Sequence, residues 1–204
     1  MTVDGRVAKL GDRALPSDTL AVDGKAVVLQ GPSRPRVLLY HKPVGEMVTR
    51  HDPQGRPTVF AKLPPGRWVA VGRLDLNSSG LLLFTDSGEL ANRLMHPRYE
   101  IEREYEARVH GRLGPQDLQR LRTGVEGIGA FTRLEEIRRG EGTNSSYRVV
   151  LKEGRNREVR RLFDAVGARV NRLVRIRYGP VQLPENLSPG EWRELENPVI
   201  LQKL

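Results

Sequence analysis

Asp75 is the residue through which chemistry would enter this sequence. It closes the run Gly72-Arg73-Leu74-Asp75 and stands three residues before Ser78-Ser79-Gly80. A carboxylate there has two readings. It can be a turn residue accepting from nearby backbone amides, which is common for Asp. It can also be a base or nucleophile held in a loop. Spacing alone favours the turn. Other chemistries lack their residues. The chain has no Cys, so neither a disulfide framework nor a thiolate metal site is possible. His41, His51, His96 and His110 show no metal-ligand spacing. No phosphate-cradling Gly-x4-Gly-Lys-Ser/Thr occurs, and Gly127-Ile128-Gly129 runs into Ala130-Phe131-Thr132, which breaks the dinucleotide pattern. No Gly-x-Ser-x-Gly elbow is found. Metal-free chemistry by carboxylates, or no chemistry, remains.

A second group of candidates lies further on. The spacing predicts a helix over 156–166. At about 100° per residue, Arg157, Arg160 and Arg161 fall on one face, with Val159, Leu162, Phe163 and Val166 opposite. A solvated charged face is the simpler account. Yet the helix opens from Gly154-Arg155-Asn156, and a helix start flanked by Arg suits an anion. The chain of 204 residues carries 34 Lys plus Arg against 25 Asp plus Glu, net +9. Arg accounts for 28 of the basic residues, and its flat fork of donors suits phosphates and stacking on bases. Residues 151–180 hold 9 basic and 3 acidic residues, so +6 of the +9 lies in that segment. A solubility charge has no reason to concentrate in this way, so the balance points to nucleic acid.

Those residues need elements to hold them. Short apolar runs predict strands over 36–40, 68–72 and 80–84, with a turn through Lys42-Pro43-Val44-Gly45. Asp86 or Ser87 caps a helix over 89–95, which Pro97 ends. Over 103–109, Tyr105, Ala107 and Val109 alternate with Glu104, Glu106 and Arg108, the period of a half-exposed strand. Pro115 and Gly124 bracket a helix near 116–122. Strands near 132–138, 146–152 and 172–178 complete the set. Turns at Asp4-Gly5, Gly11-Asp12 and Asp23-Gly24 make residues 1–31 a small β-like piece, with 32–35 as linker and 36–204 as the main domain. The fold class is α+β, with a mixed, mostly antiparallel sheet and few helices. No apolar run approaches a membrane span, and no secretory leader is evident, so a soluble cytoplasmic protein is expected.

Taken together, these segments resemble a known family. Gly72-Arg73-Leu74-Asp75 with Ser79-Gly80-Leu81-Leu82 is similar to the Gly-Arg-Leu-Asp motif of RNA pseudouridine synthases. His41-Lys42-Pro43-Val44-Gly45 resembles that family's Lys-Pro-x-Gly turn. Arg103-Glu104-Tyr105 with Val109-His110-Gly111 resembles its second motif, and Glu153 through Arg161 its third. Glu89 through Pro97 and Arg177-Tyr178-Gly179-Pro180 resemble the bacterial ribosomal-RNA branch, most of all its B-type members that act on large-subunit RNA. The resemblance runs from about 36 to 204. Residues 6–29 resemble only the second half of an S4 RNA-binding domain, which suggests a truncated start.

The resemblance implies the pseudouridine synthase fold and a cofactor-free isomerisation of one uridine in 23S ribosomal RNA, free or in a pre-ribosomal particle, by a monomer. It implies Asp75 as the catalytic carboxylate at the ribose of a flipped-out nucleotide, with no metal. Arg160 becomes the guanidinium that keeps Asp75 charged. Tyr105 stacks on the uracil, and Arg73 fills the vacated space. Lys42, Arg155, Arg157 and Arg161 become contacts to the RNA backbone, and the 151–180 surplus lines the RNA path. Two rivals remain. One is a non-catalytic RNA-binding or ribosome-assembly protein. The other is a nucleoside hydrolase, which needs a second acid, from Asp86 or Glu135-Glu136.

Overall fold

The computed structural model describes residues 1–9, 11–15, 17–27, 34–139, 144–198 and 201. They form two compact units, Met1–Arg34 and Pro35–Leu204. Of the expected linker at 32–35, residues 32 and 33 lie outside the described residues, as do 28 and 29 of the S4-like stretch.

The first unit is a four-stranded antiparallel sheet. Its strands are β1 (Thr2–Val3), β2 (Arg6–Val7), β3 (Leu20–Val22) and β4 (Lys25–Val27), in the order β2-β1-β3-β4. Asp4-Gly5 and Asp23-Gly24 close its two hairpins with positive φ throughout. That conformation selects Asp-Gly at two-residue turns.

The second unit is built on one nine-stranded sheet. In chain order its elements are β5 (Val37–Lys42), β6 (Val69–Val71), β7 (Ser79–Thr85), α1 (Gly88–Met95), β8 (Arg103–His110), α2 (Pro115–Thr123), β9 (Arg133–Arg139), β10 (Asn144–Leu151), α3 (Glu158–Asp164), β11 (Arg169–Tyr178), β12 (Val181–Gln182) and β13 (Trp192–Glu194). The sheet runs β13-β5-β7-β11-β8-β10-β9, with β12 on β11 and β6 on β7. The β7–β11 pair is parallel, and the other strand pairs are antiparallel. The α+β architecture expected from the sequence is the one observed.

Both faces of β5 and β7 are covered. Leu38, Tyr40, Leu82 and Phe84 join one core with α2 and α3, while Val37, Leu39, Leu81 and Leu83 join a second with α1. This accounts for the unbroken run Leu81-Leu82-Leu83-Phe84, because a strand buried on both sides loses its polar alternation. On β8 and β10 the alternation returns. Tyr105, Ala107, Val109, Tyr147 and Val149 pack under α2 and α3, while Glu104, Glu106 and Arg108 point the other way.

Helix starts follow their side chains. The Ser87 hydroxyl accepts from the Leu90 amide at 3.2 Å, capping α1. The Asp117 carboxylate accepts from the Gly114 amide at 2.8 Å, and Pro115 opens α2. The helix expected over 156–166 is shorter. Arg157 has φ +51, left-handed, and therefore caps α3 instead of entering it. The arginine face of α3 is reduced to Arg160 and Arg161. Strands β12 and β13 and the short 3-10 turns Val59–Lys62 and Pro97–Tyr99 carried no clear sequence signal.

Candidate active site

The loop between β6 and β7 carries Asp75. Gly72 turns the chain at φ +74, and the Ser78 amide donates to the Asp75 carbonyl at 3.0 Å, closing a tight turn over 75–78. Three outside groups hold that turn. The Gly45 amide donates to the Leu76 carbonyl at 2.9 Å. Lys42 Nζ donates to the carbonyls of Pro43 (2.9 Å), Asp75 (3.1 Å) and Ser78 (2.8 Å). Arg160 Nη2 donates to the Asn77 carbonyl at 3.0 Å. The loop that carries Asp75 is thereby fixed from β5, the turn that follows it and α3, and Asp75 lines a cleft of about 770 Å³.

Across the cleft stands β8, with Tyr105 in the wall and 8% exposed. Register explains the meeting. Gly80 on β7 is paired with Arg175 on β11, and Arg175 is paired with Tyr105 on β8. Gly80 is required there, because a Cβ would lie 2.3 Å from the Arg175 carbonyl oxygen. The Arg73, Arg155 and Arg157 side chains also line the cleft, and all three are exposed. Arg155 makes an ion pair with Glu153 (2.5 Å) and donates to the Ile128 carbonyl (3.1 Å).

Three expectations change in this geometry. Lys42 is completely buried, and its ammonium is matched to three carbonyls, so it holds the Asp75 loop and is not presented to a phosphate. Burial pushes its pKa down to about 8, opposed by Glu46 and Asp75, which leaves it charged at neutral pH. Arg160 makes no direct ion pair with Asp75 among the described residues. Its two Nη atoms are taken by the carbonyls of Val170 (2.7 Å) and Asn77. Burial and Arg157 press its pKa down, while Asp75 and Asp164 oppose, and its contact with the Asp75 loop is the bond to the Asn77 carbonyl. Arg161 reaches the Gly127 carbonyl at 3.4 Å and does not line the cleft.

The basic segment 151–180 is also redistributed. Arg155, Arg157 and Arg175 line the cleft, whereas Arg177 is ion-paired with Glu104 (2.6 Å) and Glu102 (3.0 Å). Lys152 is paired with Glu100 at 2.7 Å. The acids the sequence offered for a hydrolase, Asp86 and Glu135-Glu136, do not line the cleft, whereas Glu153 and Glu158 do. Asp86 accepts from the Arg36 amide at 2.8 Å at the far end of β7, and Glu135 and Glu136 lie on β9.

Two cleft arginines were not singled out from the sequence. Arg103 donates to the Lys152 carbonyl (2.7 Å) and to the Tyr178 hydroxyl (2.9 Å). Arg175 is 2% exposed, donates from Nε to the Leu81 carbonyl (2.7 Å), and holds a buried Nη2 with no acceptor. Both guanidiniums lie against the Tyr178 ring, at 5.0 and 5.1 Å. A signal existed: each occupies an inward position of its strand, in phase with Tyr105 or Leu173, where a charge needs a reason.

The whole fold is that of the pseudouridylate synthases. A crystal structure of a pseudouridylate synthase superposes with a TM-score of 0.71 at 24% identity, covering 98% of this chain and 86% of that one. An H/ACA ribonucleoprotein bound to a substrate RNA containing 2′-deoxyuridine gives 0.56 at 21% identity, covering 76% and 50%. The family described as RNA pseudouridylate synthase matches residues 36–165. The ribosomal large subunit pseudouridine synthase B of Escherichia coli K12 is 52% identical over 206 residues, covering 96% of this chain and 70% of the relative. Its namesakes from Yersinia pestis and Pseudomonas aeruginosa are 52% and 49% identical, and this chain spans 64% and 53% of their lengths. The chain belongs to the RNA pseudouridylate synthase family.

Proposed function

We propose that this chain converts one uridine of large-subunit ribosomal RNA to pseudouridine, with Asp75 as the catalytic carboxylate. The observation that carries the reading is the meeting of the Gly72–Asp75 loop and Tyr105 in one cleft. The half-identity to synthases named for the large ribosomal subunit supports the choice of RNA. The reaction breaks N1–C1′, turns the uracil, and joins C5 to C1′, with the C5 proton lost to solvent and a proton taken up at N1. Nothing is oxidised and no group is transferred to a second molecule, so the chemistry needs no cofactor.

Asp75 acts at the ribose, either by attack at C1′ or by taking the 2′ proton. The target must first leave its stack, at a cost of a few kcal/mol, on the order of 2–4. Tyr105 stacks on the flipped uracil. Arg73, exposed beside Asp75, braces the nucleotide or fills its place. Arg155 and Arg157 at the rim take backbone phosphates, and Arg161 extends that contact beyond the cleft. Arg160 and Lys42 hold the loop from behind. Residues 1–31 act as a partial S4-like RNA-binding piece. The enzyme works as a monomer in the cytoplasm, on free 23S RNA or on a pre-ribosomal particle.

Release of tritium from ribosomal RNA labelled at uridine C5 tests this reading. The wild-type chain releases tritium and Asp75→Asn does not. Equal release by both would remove Asp75 from the mechanism. Free uracil among the products would mean a hydrolase, and a rise in RNA binding with no turnover would mean a binding protein.

A further inference from the structure

Three of the arginines that do not reach the cleft fall in one row. Strand register sets Arg172 on β11 opposite Arg108 on β8, Arg108 opposite Ser146 on β10, and Ser146 opposite Arg138 on β9. Residues in register share a face of a sheet. Their neighbours Ala107, Val109 and Tyr147 are buried under α2 and α3, so this row looks out from the other side. Arg108, Arg138 and Arg172 are all exposed. The row crosses four strands, so it is about 14 Å long. The next row outward sets exposed Arg169 opposite His110.

The opposite end of this face is built differently. There Arg148 is paired with Glu106 (3.1 Å) and Glu104 (3.6 Å), and Arg177 with Glu104 and Glu102. Among the described residues no carboxylate comes within ion-pair distance of Arg108, Arg138, Arg169 or Arg172. Like charges directly opposite on neighbouring strands destabilise a sheet. Arg172 facing Arg108 is therefore a standing cost to the fold, and solubility would be served as well by staggered or mixed charges. A polyanion laid across the row turns that repulsion into attraction.

We infer that the outer face of the sheet, away from the cleft, is a second RNA-binding surface, on which Arg172, Arg108 and Arg138 take backbone phosphates of the substrate RNA outside the segment that enters the active site. The inference rests on the proposed RNA substrate. The row makes no base contact, so it supplies affinity without sequence preference.

The test compares R108Q/R172Q with R36Q/R193Q, which removes the same charge from exposed positions elsewhere in the second unit. Binding to a large-subunit ribosomal RNA transcript is measured by filter retention over a salt series. For R108Q/R172Q the slope of log K against log salt falls by about 2 and Kd rises roughly tenfold. Its Tm stays level or rises, because the facing charges are gone. Tritium release at saturating RNA is unchanged, and R108K/R172K restores binding. An unchanged Kd and slope would sink the inference, as would an equal loss in R36Q/R193Q or a failure of the lysine pair to rescue. A wild-type chain that binds RNA in this way but releases no tritium would overturn the catalytic reading and leave the surface standing.

Discussion

Asp75 and Lys42 meet one loop from opposite sides. Asp75 lines the cleft, while Lys42 is buried and bonded to the Asp75 carbonyl behind it. The two should separate under mutation. Asp75→Asn keeps shape and loses the carboxylate charge, so tritium release falls by about 1,000-fold or more while RNA binding persists. Lys42→Met removes the buried ammonium from three carbonyls, of which, among the described residues, only that of Asp75 keeps a second donor, and destabilises the fold by about 3 kcal/mol, read by urea unfolding. Lys42 also sets a pH dependence. Its folded pKa of about 8 lies below the ordinary 10.5, so the unfolded chain holds the proton more tightly. Stability contributed by this group therefore rises with pH between about 8 and 10.5 and is flat below that window. Lys42→Met should lack the rise. A parallel pH profile in both proteins would show that the lysine does not titrate there.

Strand β11 is the element that assembles the site. It pairs in parallel with β7, which follows the Asp75 loop, and antiparallel with β8, which carries Tyr105. Gly80 permits that seam at φ +106 with no room for a side chain. Gly80→Ala must push Arg175 backbone atoms away and move the Asp75 loop relative to Tyr105. The expected result is a loss of about 3 kcal/mol or more of stability, with activity reduced even where the protein remains folded. Urea unfolding and tritium release on the same preparation read the two effects. Full activity in a stable Gly80→Ala protein would mean that the seam tolerates displacement.

Within the second unit, exposed arginines gather at two places, the cleft rim and the outer face of the sheet. Arg73, Arg155 and Arg157 edge the cleft, and Arg108, Arg138 and Arg172 line the other side. The cleft group comes from loops, while the outer group is set by strand pairing, and the register shifts of β11 at Val170/Arg172 and Arg175/Arg177 decide which of its arginines share a face. RNA binding should therefore fall steeply with salt, with log K linear in log salt and a slope of magnitude roughly 4 or more if six phosphates are contacted. A flat salt profile would mean that the surplus plays no part in binding.

The strands, the helices and the class of fold were legible because period, caps and turn residues act locally. The alternation at Tyr105, Ala107 and Val109, the Ser87 cap and the Asp-Gly hairpins needed no knowledge of the rest of the chain. Asp75 was legible as a candidate through its motif. What the sequence could not decide was the direction and partner of each long cation. Lys42 read as a phosphate contact, Arg160 as a partner of the Asp75 carboxylate, and Arg175 drew no reading, yet each is tied to backbone carbonyls of other elements. Arg108 and Arg172 lie far apart in sequence and face each other only through register. Local composition fixes which elements form. Pairing between strands decides which charges meet, because that is a property of the sheet and not of any one segment.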